Sequence, residues 1–217
     1  MSTLLMRLAG PMQSWGIDSK FDVRRTEREP SKSGVIGMAA AALGIARQDK
    51  EALRPLAALR FGVRVDREGR MLRDFHMARQ EQKNGSSYVT YRYYLADAVF
   101  TAGLEGDRAL LEQIGQALRA PAFPLYLGRR SCPPVGRVFL GISDLPLREA
   151  LLENAPPDAK RLITDAADGA PGGLVRDVPL SFDPARREYG YRAVVEETLT
   201  SNGEHDPMTE LEEQVCI

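Results

Sequence analysis

The chain has 217 residues, 43% of them hydrophobic, with 29 Lys and Arg against 30 Asp and Glu and a formal net charge of -1 at pH 7. A chain of this length and composition buries a substantial core, as one large domain or two small ones, and its near-neutral total argues against a generic nucleic-acid binder. The longest nearly apolar run, residues 34–46, falls short of the roughly 20 residues that cross a membrane, and no basic segment followed by an apolar block opens the chain, so a cytoplasmic protein without membrane contact is expected.

Residues 3–8 read as a first strand closed by Gly10-Pro11. Residues 12–30 form a long charged stretch without periodicity, including Arg24-Arg25-Thr26-Glu27-Arg28-Glu29, and a loop of that length marks a functional or partner-bound segment. Ser31-Lys32-Ser33-Gly34 then opens a helix whose apolar positions Val35, Met38, Ala39, Ala42, Leu43 and Ala46 share one face. Gly34 and Gly37 cost helix propensity, which suggests close approach of another backbone or of a phosphate drawn to the unpaired amides of the first turn. The segment fits neither a Walker loop nor a GxGxxG fingerprint.

A second helix is expected around residues 49–59. Phe61, Val63 and Val65 then alternate in a strand that turns at Asp66-Arg67-Glu68-Gly69. A strand over residues 71–77, the hairpin signal Asn84-Gly85 and the aromatic strand Tyr88-Val89-Thr90-Tyr91-Arg92-Tyr93-Tyr94 predict a projecting hairpin over residues 77–95. Its four tyrosines, with Arg79, Lys83 and Arg92, suit stacking on splayed bases while the charges track phosphates; the alternative turns Tyr91 and Tyr93 into the core. Residues 96–102 read as a strand and 108–118 as an amphipathic helix with Leu111, Ile114 and Leu118 inside. The order strand, helix, strand, strand, helix, strand is that of an α+β, ferredoxin-like domain.

Tyr126-Leu127-Gly128-Arg129-Arg130-Ser131-Cys132-Pro133 joins a glycine hinge to two guanidinium groups and a hydroxyl, a pattern suited to an anionic backbone. Cys132 and Cys216 have no CxxC partner and no histidine at ligand spacing, so free thiols, no metal and no cofactor are expected. Residues 145–153 read as a short helix, 162–173 as a loop, and Tyr189, Tyr191, Ala193 and Val195 as one face of a late strand. Charge is unevenly spread: residues 1–92 carry 17 Lys and Arg against 10 Asp and Glu, whereas residues 204–217 hold five acidic groups and no basic one. That acidic tail is expected to be disordered.

Four motifs taken together, residues 8–16 (Leu-Ala-Gly-Pro-Met-Gln-Ser-Trp-Gly), Ser33-Gly34-Val35-Ile36-Gly37, Arg73-Asp74-Phe75-His76 and residues 126–133, resemble in order and spacing the CasD family of type I-E CRISPR Cascade subunits, within the RAMP superfamily. The resemblance runs from Leu4 to about Val195. It implies a ferredoxin-like, RRM-like domain over residues 1–140 carrying a thumb hairpin at 77–95, a smaller irregular β-rich portion at 141–203, and the tail at 204–217. It also implies a non-catalytic role in antiviral defence: binding and capping the 5′ handle of the CRISPR guide RNA, beside a backbone subunit of the CasC type and a large subunit of the CasA type, with target DNA met only indirectly. On that basis backbone contacts are assigned to Arg24, Arg25, Arg28, Lys32, Ser33, Arg129, Arg130 and Ser131, amide contacts to Gly34 and Gly128, handle gripping to Arg79 and Lys83, and groove lining to Met12, Gln13 and Trp15.

A related branch of the superfamily cuts precursor RNA without metal, so a metal-independent endoribonuclease acting on CRISPR repeat RNA is the alternative. That chemistry needs a base, an acid and cationic stabilisation, for which His76, Tyr91 and Lys83 are the candidates. A scaffold whose basic residues meet acidic protein surfaces is the third reading.

Overall fold

The computed structural model describes residues 1–16, 23–79, 87–167 and 169–199. Strand β1 (Ser2–Ala9) buries Leu4, Met6 and Leu8 completely, as period-two alternation demands of a central strand. Two short strands, β2 (Met12–Gln13) and β3 (Val23–Arg24), follow. Helix α1 (Lys32–Leu43) starts at Ser31, whose hydroxyl accepts the Gly34 amide, and stops at Gly44, where φ is +76° and the Ile45 amide bonds back to Ala40. The expected extension of this helix to Ala46 is corrected: the left-handed turn at Gly44 ends it, and Ala46 is exposed.

The chain continues through α2 (Lys50–Ala57), β4 (Arg60–Arg67), β5 (Arg70–Arg79), β6 (Ser87–Ala96), β7 (Val99–Gly106), α3 (Arg108–Arg119) and β8 (Phe139–Ser143). Strands β1, β4, β7 and β8 lie in the order β4-β7-β1-β8, each antiparallel to its neighbour, with α1 and α3 as the crossovers. That order and connectivity is the ferredoxin-like fold. The expected boundary at residue 140 falls inside β8, whose last residues pair Leu4 and Thr3 of β1.

After α4 (Leu147–Leu152) come β9 (Arg161–Asp165), β10 (Gly173–Ser181) and β11 (Glu188–Thr198). They extend the same sheet beyond β4 in the order β10-β11-β9-β4. Residues 162–165, expected as loop, are strand because Ile163 and Thr164 pair with Val63 and Gly62 of β4, a partner about 100 residues away that no local pattern announces. The sheet curves so that β10 reaches α1 and α2. Helix α1 is therefore covered by α2, α3 and β10, and Lys32, Ser33, Ile36 and Ala40 are buried along with the apolar face.

A buried ion network fastens these late strands to the helix. Arg192 on β11 donates to both carboxylate oxygens of Asp177 at 2.6 and 3.0 Å and to Asp165 at 2.8 Å. Asp177, 1% exposed, also accepts the backbone amide of Lys32 at 2.7 Å, and Lys32 Nζ lies 3.4 Å from Asp165. Every charge there has an opposite partner, the condition under which a buried charge is tolerated.

Between β4 and β7 the hairpin β5–β6 leaves the main sheet, paired from Arg70 opposite Ala96 to Arg79 opposite Ser87. It forms a second sheet with β2 and β3, which lie along the other side of β6. The Asn84-Gly85 turn, Lys83 and the acidic tail fall outside the described residues.

Candidate nucleic-acid groove

The face of β6 that carries Tyr88, Thr90 and Arg92 forms one wall of an open groove of about 1340 Å³. Its floor is the small-residue side of α1, with Ser33, Gly37 and Ala41, and this lack of bulk is what gives the groove depth. The segment Phe123 to Pro133 and the β10–β11 turn, with Phe182, Arg187 and Tyr189, close the other sides. Arg24, Arg47, Arg92, Arg129, Arg130 and Arg187 all line it, and no aspartate or glutamate does among the described residues. The volume exceeds the roughly 300–1,000 Å³ usual for a small-molecule site. Six guanidinium groups interleaved with Tyr88, Phe123, Tyr126, Phe182 and Tyr189 provide phosphate forks beside stacking faces, the equipment of a single-strand nucleic-acid channel.

The Gly-Arg-Arg-Ser segment is built as a tight turn. Leu127 donates its amide to Cys132 at 2.7 Å and Cys132 donates to Arg129 at 2.9 Å. Gly128 has φ +83°. Arg129 donates from Nη2 to the carbonyls of Arg24 and Arg25 at 2.9 and 3.3 Å, and its guanidinium carbon lies 4.8 Å above the Tyr94 ring. Cys132 is buried, and burial pushes its thiol above the ordinary range in spite of the nearby Arg129.

Trp15, Arg24, Ser33, Gly34, Gly128, Arg129 and Arg130 meet at this groove, whereas several other expected contacts do not. Gln13 is fully buried, donating to the carbonyls of Leu8 and Ala98 and accepting the Trp15 indole N–H, so it is an internal tie rather than a groove residue. Trp15 itself is only 1% exposed and sits beneath the groove as core. Lys32 is occupied by Asp165, and burial holds its ammonium pKa below the ordinary value. The amides of Gly34 and Gly128 already donate to Ser31 Oγ and to the Tyr126 carbonyl, which removes both from the expected set of amide contacts. Met12, Arg25, Arg28 and Ser131 are exposed away from the groove lining, the side chain of Arg79 and all of Lys83 lie outside the description, and Tyr94 is buried beneath Arg129.

Sequence reasoning missed Arg47, Phe182 and Arg187. Arg47 follows the helix-ending glycine at residue 44, a detectable position; Phe182 and Arg187 reach the groove only because the sheet curves over α1, and nothing local marks them.

Of the three residues of the enzyme constellation, Lys83 lies outside the described residues and the other two are held apart. His76 pairs with Thr90 and Phe75 with Tyr91 across the hairpin, so His76 and Tyr91 occupy adjacent pairs whose side chains point to opposite faces of the ribbon. His76 Nε2 lies 2.9 Å from Asp74 Oδ2.

Residues 3–195 match the family model described as CRISPR-associated protein (Cas_Cas5). The chain belongs to the Cas5 family of CRISPR-associated proteins. This Cas5-family chain is 38% identical over 158 residues to the CRISPR system Cascade subunit CasD of Escherichia coli (strain K12), across 64% of this chain and 70% of that protein. It superposes on a chain of a CRISPR RNA-guided surveillance complex with TM-score 0.76 and 37% identity, covering 98% of this chain and 99% of that one. A Cas protein crystal structure matches with TM-score 0.73 and 43% identity, covering 92% and 95%. Both alignments take in the late strands as well as the ferredoxin-like core. No helix among the described residues is long and apolar enough to cross a membrane.

Proposed function

We propose that this Cas5-family chain is a non-catalytic subunit of a CRISPR RNA-guided surveillance complex, which binds and caps the 5′ handle of the guide RNA and contacts backbone and large subunits of the CasC and CasA types. The groove carries the reading: six arginines interleaved with aromatic rings on one concave surface, with no carboxylate lining it among the described residues. The likeness to a Cascade subunit and to a chain of a surveillance complex supports it. A net charge of -1 is compatible with RNA binding, because the positive groups converge on one groove while acidic groups lie elsewhere. The opposite facing of His76 and Tyr91 separates two of the three groups that the nuclease chemistry would need, which supports a non-catalytic role.

The test is anisotropy of a labelled repeat-derived 5′ handle RNA titrated with the purified chain over a salt series. Tight binding whose logarithm falls linearly with the logarithm of salt concentration is expected, with a shallower slope when Arg47 and Arg187 are both changed to glutamine. Cleavage of the RNA without metal, abolished by His76→Ala, would replace this reading with the endoribonuclease. Binding no tighter than to a scrambled RNA would favour the scaffold.

A further inference from the structure

We propose that Arg24, Arg92 and Arg129 form a subsite for one backbone phosphate of the bound RNA, and that Arg129 is also the positioning residue that builds it; this rests on the RNA-binding reading of the groove. The two-residue strand β3 lies parallel to β6 with Arg24 directly beside Arg92. Like charges on adjacent strand positions repel. Arg129 holds the arrangement: one nitrogen donates to the carbonyls of Arg24 and Arg25 while the guanidinium stacks over Tyr94, two residues along β6 from Arg92. That fork adds to the backbone pairing that holds β3 on β6.

Two donors in this cluster have no partner. Arg92 Nε and Arg129 Nη1 are both buried from solvent without a hydrogen bond. Buried donors on permanently charged groups are satisfied in almost every folded protein, so an orphaned pair in one groove points to an absent acceptor. No carboxylate lines the groove to fill that role among the described residues. Asp74, the residue opposite Arg92 on β5, lies against His76 instead. A tetrahedral phosphate supplies several acceptor oxygens with a negative charge, which answers both the empty donors and the repulsion between the arginines.

The experiment is a scan of the handle RNA with a single neutral methylphosphonate at each position, read as affinity for the chain. One position is expected to weaken wild-type binding by about 10- to 100-fold, and Arg92→Gln is expected to weaken the unmodified RNA similarly while making that position silent. Arg129→Lys, which keeps the charge and loses the fork, should relax the same position. If Arg92→Gln silences no position while the wild type still binds the handle, the subsite is overturned and the function stands. If the wild type does not bind the handle, the functional reading fails first; the subsite then stands as a free-phosphate site only if millimolar inorganic phosphate raises the thermal midpoint of the wild type and not of Arg92→Gln. An equal rise in both, or no rise, overturns it.

Discussion

Gly128 packs against Ser14 so tightly that a Cβ on the glycine would lie 1.7 Å from the Ser14 carbonyl oxygen. This contact joins the arginine turn to the segment that follows β2, and the Ser14 amide bonded to the Leu127 carbonyl at 3.1 Å reinforces it. The glycine of the arginine segment thus answers to a crossing of two backbones, not to a ligand.

Gly128→Ala is expected to be among the most damaging small substitutions in the chain. The left-handed backbone, φ +83°, costs an alanine roughly 1–2 kcal/mol, and displacing the Ser14 backbone adds to it. Urea unfolding should show a loss of more than about 2 kcal/mol.

Gly34 and Gly37 should separate cleanly. A Cβ at Gly34 would stand 2.8 Å from the buried Trp15 ring, so Gly34→Ala is expected to destabilise by about 1–3 kcal/mol through overpacking. At Gly37 the nearest atom is Phe182 at 3.5 Å, an ordinary contact, and Gly37→Ala should be neutral or gain up to about 1 kcal/mol from helix propensity. Thermal unfolding of both variants side by side checks the difference.

Asp177→Ala leaves Arg192 and the Lys32 amide without their main acceptor inside the protein. Breaking one side of a buried charge network costs about 3–5 kcal/mol, so this variant should unfold at markedly lower urea. Hydrogen exchange should show the loss of protection concentrated in β10 and β11.

Cys132 should resist alkylation in the folded chain. Burial raises its thiol pKa, so at any pH below the raised value the reactive thiolate is scarcer than in an ordinary cysteine, and the sulfur is also shielded. In a Cys216→Ser background, a thiol reagent at pH 8 should react slowly until denaturant is added; rapid native-state labelling would contradict the burial.

Much of the architecture is legible in the sequence because its signals are short-range. The Ser31 cap, the alternation of Leu4, Met6 and Leu8, the face of α3 and the paired strands of the hairpin each follow from contacts within a few residues or one turn. The strand and helix order, with the four family motifs, carries the ferredoxin-like topology. The arginine turn likewise announces itself, although its glycine serves packing. What the tertiary structure alone decided is the company each charge keeps: Lys32 looked like a phosphate ligand until β9 brought Asp165 to it, and Arg187, which no local pattern singled out, reaches the groove only through the late strands. Pairing between residues more than a hundred positions apart depends on how strands are ordered in space, and burial and neutralisation follow from that order.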